Sequence, residues 1–175
     1  MGRAKALLPF RDGTFLSVLA ETLGRSCAPV IAVFGAPGVM EQAPPNVRAV
    51  ENARYREGML TSLQAGLRAL KEFDRVLFTL VDHPAVLPAT VERLLRSGAP
   101  IAIPRHDGRR GHPVVVGRGI AEEFLREPGT AEVRAVINRH AADIEYIEVD
   151  DPGIQDDVDD PVLYAALLAR EAARG

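Results

Sequence analysis

Two short apolar runs, Val30-Ile31-Ala32-Val33-Phe34 and Val76-Leu77-Phe78-Thr79-Leu80-Val81, constrain this chain more than any other feature. A strand with one face in water alternates apolar and polar residues. A nearly unbroken apolar run of five or six residues marks a strand covered on both faces. Such strands need helices on either side, and the sequence supplies them. Residues 58–70 place Leu60, Leu63, Leu67 and Leu70 on one stripe. Residues 15–23 carry apolar positions at helical spacing, with Gly24 the expected C-cap. The first run opens into the loop Gly35-Ala36-Pro37-Gly38. Further strands are expected at 47–50, 100–103, 113–117 and 144–149, and further helices at 90–97, 119–126, 131–140 and 161–173. This alternation is that of a three-layer α/β/α, Rossmann-like domain with a mostly parallel sheet. Pro44 and Pro45 mark a loop, not a boundary, so residues 1–175 are read as one domain.

Composition narrows the function classes. A hydrophobic content of 47% with 26% charged residues allows a full core, and a net charge of −3 offers no basic excess for nucleic acid. The apolar runs are strand-sized, too short to cross a bilayer, and Met1-Gly2-Arg3-Ala4-Lys5 is not followed by the long apolar region of a signal peptide. A cytoplasmic protein with no membrane partner is expected. The single cysteine, Cys27, excludes an internal disulfide and any multi-cysteine metal site, and reads as a small packing residue.

Asp82 stands where the second apolar run stops, followed by His83-Pro84. In an open α/β sheet the crevice beyond the carboxyl ends of the strands is the ligand site, so an aspartate there can hold a metal carrying phosphates. The competing reading makes Asp82 the cap of the helix that begins near Pro88. A second acidic cluster, Asp156, Asp157, Asp159 and Asp160, precedes Pro161 far downstream and favours the ligand reading. Within it, Asp160 reads as the N-cap of the last helix, with Pro161 at the first helical position. Lys5 is one of only two lysines among 21 basic residues, an uncommon choice in this chain.

Several motifs occur in one order: Met1-Gly2-Arg3-Ala4-Lys5-Ala6-Leu7-Leu8-Pro9-Phe10; Asn52 with Gly58-Met59-Leu60-Thr61-Ser62-Leu63 and Gly66; Val81-Asp82-His83-Pro84; Arg109-Arg110-Gly111-His112-Pro113-Val114; and Asp157-Val158-Asp159-Asp160-Pro161. In this order they resemble the MobA-like nucleotidyltransferases, the molybdenum-cofactor cytidylyl- and guanylyltransferases and their relatives. Members of that family carry a strand and a loop of the type Leu-Ala-Ala-Gly-x-Ser-x-Arg immediately before the Met-Gly. The resemblance therefore implies an N-terminally shortened chain in which Met1 is an internal methionine. The strand so implied would lie between the two apolar runs.

The activity implied by the resemblance is transfer of a nucleoside monophosphate, CMP ahead of GMP, from CTP or GTP to molybdopterin or a related phosphorylated acceptor, with pyrophosphate leaving. Such chemistry is mostly positioning and charge neutralisation. Lys5 would meet the triphosphate, and Asp82 would be catalytic, bind the nucleotide and share Mg²⁺ with Asp159; Asp157 ranks behind Asp159 as second ligand. Gly58 and Ser62 would lie against base or ribose, with Thr61 equally readable as a plain cap. Arg110, Gly111 and His112 would touch the acceptor. A molybdoenzyme or its chaperone is the partner such an enzyme would serve. Two alternatives stay open: a non-catalytic relative that binds a cofactor or partner, and a transferase acting with GTP or on a sugar-phosphate or phospholactate type of acceptor.

Overall fold

A computed structural model describes residues 4–35 and 38–173. Met1, Gly2 and Arg3 of the first motif, and Ala36 and Pro37 of the expected loop, lie outside the described residues. Lys5–Leu7 form one 3₁₀ turn. The hairpin β1 (Pro9–Phe10) and β2 (Gly13–Thr14) leads into α1 (Phe15–Gly24), where Thr14 and Ser17 form a reciprocal capping box. Gly24 is the last helical residue, not the cap. Arg25 continues in right-handed helical conformation and the amides of Ser26 and Cys27 return to the Leu23 carbonyl, so no left-handed residue is needed.

Then follow β3 (Ile31–Phe34), β4 (Arg48–Glu51), α2 (Met59–Ala69), β5 (Arg75–Phe78), α3 (Pro88–Leu95), β6 (Ile101–His106), β7 (Arg109–Arg110), β8 (Val114–Gly117), α4 (Arg118–Arg126), α5 (Val133–Arg139), β9 (Ile144–Glu148) and α6 (Pro161–Ala172). Asp160 caps α6 by accepting from the amides of Val162 and Leu163, with Pro161 at its start as expected. The hairpin of β6 and β7 has its two-residue turn at Asp107-Gly108, both with positive φ; Asp-Gly is the sequence signal for that turn, although the motif reading passed over it.

The five-stranded sheet is mixed. β8 runs antiparallel to β5 on one side and to β6 on the other, while β9 pairs parallel with β6. The short excursion through β7 joins β6 to β8 without a crossover helix, which permits only an antiparallel pair. Period-two alternation sends Ile101, Ile103, Val114, Val116, Val76 and Phe78 to the face covered by α2, α4 and α5, and Ala102, Val115 and Leu77 to the face covered by α3. Helices on both faces give the three-layer α/β architecture.

The parallel pair β3 and β4 stands apart from this sheet. Among the described residues neither β3 nor β5 has a strand partner on the side facing the other. Between them lies a cleft of about 370 Å³ lined by residues 29–34 and 76–81, with Leu16 and Leu19 of α1 and Leu63 and Leu67 of α2 among its walls. This explains two departures from the sequence reading. Ile31, Ala32 and Val33, and every residue of β5, are half-buried where full burial was expected, because they line the cleft. β5 also stops at Phe78 and not at Val81: its ladder with β8 ends at the Phe78–Val114 pair, and the cleft side offers residues 79–81 no partner.

Candidate functional site

Beyond the end of β5 the chain runs through Thr79-Leu80-Val81 to Asp82, which therefore sits four residues past the strand on the turn that follows. It does not cap α3. The start of α3 is anchored instead by the buried Asp151, whose Oδ2 accepts from the Leu87 amide and the Thr90 hydroxyl, while Oδ1 accepts from the Gly153 amide. Asp151 carries no periodicity signal, and the sequence reading missed it. Asp82 Oδ2 accepts from Lys5 Nζ at 3.3 Å, and Lys5 Nζ also bonds Asp159 Oδ1. The other oxygen, Asp82 Oδ1, is buried with no hydrogen-bond partner among the described residues.

Asp82, Asp157 and Asp159 each offer a carboxylate oxygen, all within 4.8 Å of one another. Asp157, placed behind Asp159 from sequence, is thus part of the same group. Unneutralised carboxylates this close repel, and an oxygen buried without a donor is costly, so the trio has the donor set of a hard-cation site. Lys5 is the cation that meets it here. Its partial burial opposes its charge, but the bonds and charges of Asp159 and Asp82 outweigh that and raise its pKa. In turn the hydrogen bond from Lys5 holds the Asp159 carboxyl below the usual range.

The MobA-like NTP transferase domain model matches residues 1–144, more than half of the chain. The chain belongs to the MobA-like NTP transferase family. It is 33% identical to nicotine blue oxidoreductase of Paenarthrobacter nicotinovorans over 91% of this chain and 85% of that one. It is 26% identical to the molybdenum cofactor cytidylyltransferase of Escherichia coli K12 over 85% and 81%. Among solved structures it resembles Rv0371c of Mycobacterium tuberculosis H37Rv, with a TM-score of 0.83 and 25% identity over 97% of this chain and 90% of that chain. The same protein in complex with manganese gives 0.79 and 27% identity over 96% and 93%. The fold and the kind of enzyme, a nucleotidyltransferase, follow from these matches.

In this MobA-like chain the other sequence-named residues fall into two further groups. Gly58 begins α2 with φ of +142°, a conformation that excludes a side chain, and is the helix N-cap. Asn52, buried, donates to both the Thr61 and Ser62 hydroxyls, and the Thr61 hydroxyl also reaches the Gly58 carbonyl. Thr61 is therefore tied into the cap, whereas Ser62 lines the cleft beside residues 79–81. Asn52 belonged to the motif but received no role from sequence; its two hydroxyl partners show that it orients this turn.

The third group is the Arg109–Pro113 segment. Arg109 and Arg110 are exposed on β7. Gly111 has no room for a side chain, since a Cβ would meet the Ile154 carbonyl oxygen at 2.0 Å. The segment delivers the His112 ring against His83, with centroids 4.9 Å apart, and so to the neighbourhood of Asp82, while Arg110 stays on the outer strand. His83 is 5% exposed, with Nε2 3.7 Å from Asp82 Oδ1. Burial pushes its pKa down against the pull of Asp82, so it is neutral and the approach is not an ion pair. His106 and His140 lie elsewhere, against the Val149 carbonyl and Glu123. Burial also pushes the Cys27 thiol up, in keeping with a packing role.

Burial, then the repulsion that a proton on His83 would exert, lowers the pKa of His112 from 6.5 to about 4. The unfolded chain therefore takes up this proton before the folded one. The stability tied to a neutral His112 is intact above about pH 6.5 and falls as the pH drops toward 4. The expected result is a melting temperature that declines through this window and a shallower decline in His112→Gln, read by calorimetry from pH 7 to pH 4.

Proposed function

We propose that residues 1–175 form one catalytic domain that transfers CMP from CTP to molybdopterin or a related phosphorylated acceptor, releasing pyrophosphate. The observation that carries this reading is the convergence of Asp82, Asp157 and Asp159 with Lys5 beyond the end of β5. An acceptor oxygen attacks the α-phosphorus, the bond to the β-phosphate oxygen breaks, and pyrophosphate departs. Asp82 and Asp159, with Asp157, would hold Mg²⁺, as the manganese complex of Rv0371c and the unpartnered Asp82 Oδ1 both support. When bound, the cation supplies charge neutralisation for the triphosphate. Lys5 lies at hydrogen-bonding distance from two carboxylates, and a triphosphate would compete for its charge. Gly58 and Ser62 would lie along the base or ribose at the start of α2. Arg110, Gly111 and His112 would meet the acceptor, with a neutral His112 able to donate or accept a hydrogen bond. A molybdoenzyme or its chaperone fits as the protein receiving the product. Among the described residues no helix is long and apolar enough to cross a membrane, in keeping with action in the cytoplasm.

The 33% identity to an enzyme named as an oxidoreductase supports a second reading, redox turnover of a nicotine-blue-like dye. A panel of CTP, GTP, ATP and UTP crossed with molybdopterin, a sugar phosphate and phospholactate tests the first. The panel is run with Mg²⁺ on the 175-residue chain and on a version lengthened at its N-terminus by a glycine-rich turn and an extended apolar strand. Pyrophosphate release that needs both CTP and molybdopterin is the expected result. Release with GTP alone corrects the base, and release with another acceptor corrects the acceptor. No release from any pair, with nicotine blue reduced at the expense of an added two-electron donor and followed by its visible absorbance, transfers the conclusion to the second reading. Silence in both assays supports the binding-module alternative.

A further inference from the structure

The segment joining the 3₁₀ turn Pro152–Gln155 to α6 is extended at Asp156, with φ −60° and ψ 135°, and is pinched at Val158, where the Asp159 amide donates to the Asp157 carbonyl at 2.9 Å. Asp157 and Asp159 go to Asp82. Val158 goes the other way, into the apolar cluster with Phe10, Phe15 and Leu167. Asp156 shares that side and meets Arg170 of α6 in a two-pronged pair, Nη1 to Oδ1 at 2.8 Å and Nη2 to Oδ2 at 2.6 Å. The Asp156 side chain is only 10% exposed, and Arg170 Nε is buried without a partner among the described residues, so the guanidinium is committed to this one carboxylate. The helix that carries Arg170 is itself tied to the chain around Lys5: the Tyr164 hydroxyl donates to the Pro9 carbonyl at 2.6 Å, and Arg11 pairs with Glu171 at 2.6 Å.

Four aspartates within five residues, with Asp82 opposite, repel one another and would splay a free loop. We propose that Arg170 is a positioning residue for the reaction: by gripping both oxygens of Asp156 it fixes the strip on its inner side and so aims Asp157 and Asp159 at Asp82. This rests on the reading of those three carboxylates as the cation site. Geometry here is worth more than charge alone, because a planar guanidinium sets the angle of the carboxylate it grips and a lysine ammonium does not.

Two readouts on the full chain separate the proposal from the reading beneath it. Amide hydrogen exchange over residues 156–163, without added metal, reports whether Arg170 orders the strip. Mn²⁺ affinity, read from the electron paramagnetic resonance of the free ion, reports what that order does. In Arg170→Met exchange should speed up and Mn²⁺ affinity fall about tenfold, the lower end of what losing a residue behind a metal ligand costs. Arg170→Lys should recover only part of it, and adding Asp156→Asn to Arg170→Met should cost nothing more. Asp156→Asn alone serves if Arg170→Met fails to fold. Unchanged exchange over 156–163, or faster exchange with Mn²⁺ affinity intact, overturns the proposal. If the unaltered protein binds Mn²⁺ no better than Asp82→Asn, the cation reading itself falls, and the positioning role falls with it.

Discussion

Asp82→Asn is expected to lower turnover about a hundredfold or more while leaving the melting temperature unchanged or raised. The substitution keeps shape and removes charge. Charge is what a triphosphate site needs, whether to hold a divalent cation or to keep Lys5 in place, so the transition state loses its neutralising partner. The fold loses little, because Asp82 caps nothing: α3 is held by Asp151 instead. Removing a charge whose Oδ1 is buried without a partner relieves a cost that offsets the loss of the 3.3 Å contact with Lys5. Pyrophosphate release and calorimetry on the lengthened chain read both effects. A large drop in melting temperature, with activity per folded molecule retained, would assign Asp82 a structural role and leave the site to Asp157 and Asp159. Lys5→Ala should act differently, raising the nucleotide KM more than it lowers kcat, since in the proposed function its ammonium would meet the ground-state triphosphate as well as the transition state.

The 175-residue chain itself should self-associate through the cleft between β3 and β5 and bind triphosphate weakly. Each of these strands presents one row of backbone N–H and C=O groups with no strand partner among the described residues, on walls lined by leucines and valines. A backbone group left buried and unpaired costs about 1–3 kcal/mol. Half-burial of both strands means water meets part of that need, so association and not failure to fold is the outcome. A second copy can offer an extended apolar segment to these open edges. Sedimentation should show mass rising with concentration, with rapid amide exchange in residues 31–34 and 75–78. Lengthening the chain by an extended apolar strand should suppress both and tighten CTP binding. A monomer with protected amides in those strands and micromolar CTP affinity would show that the open edges carry no such consequence.

The order of strands and helices was legible because it is local. Period two and period 3.6 in apolar residues, Asp160 as a cap and Pro161 at a helix start depend on neighbours a few positions away. The ordered motifs pointed to the transferase family for a different reason, since each places a particular side chain or glycine at a turn where the backbone approaches something closely. Gly58, with its positive φ, and Gly111, with Ile154 against it, are such places. What no local pattern contains is which turns meet. Tertiary structure alone joined Asp157 to Asp82 and Asp159, anchored the start of α3 on Asp151, and set Arg170 behind Asp156. It also set His112 against His83, and burial there, not sequence, depresses the pKa of both rings. Both apolar runs hold strands, though the second stops at Phe78, and their half-burial depends on what lies beside them in space, since an apolar residue looks the same in sequence whether it faces a neighbouring strand or an open cleft.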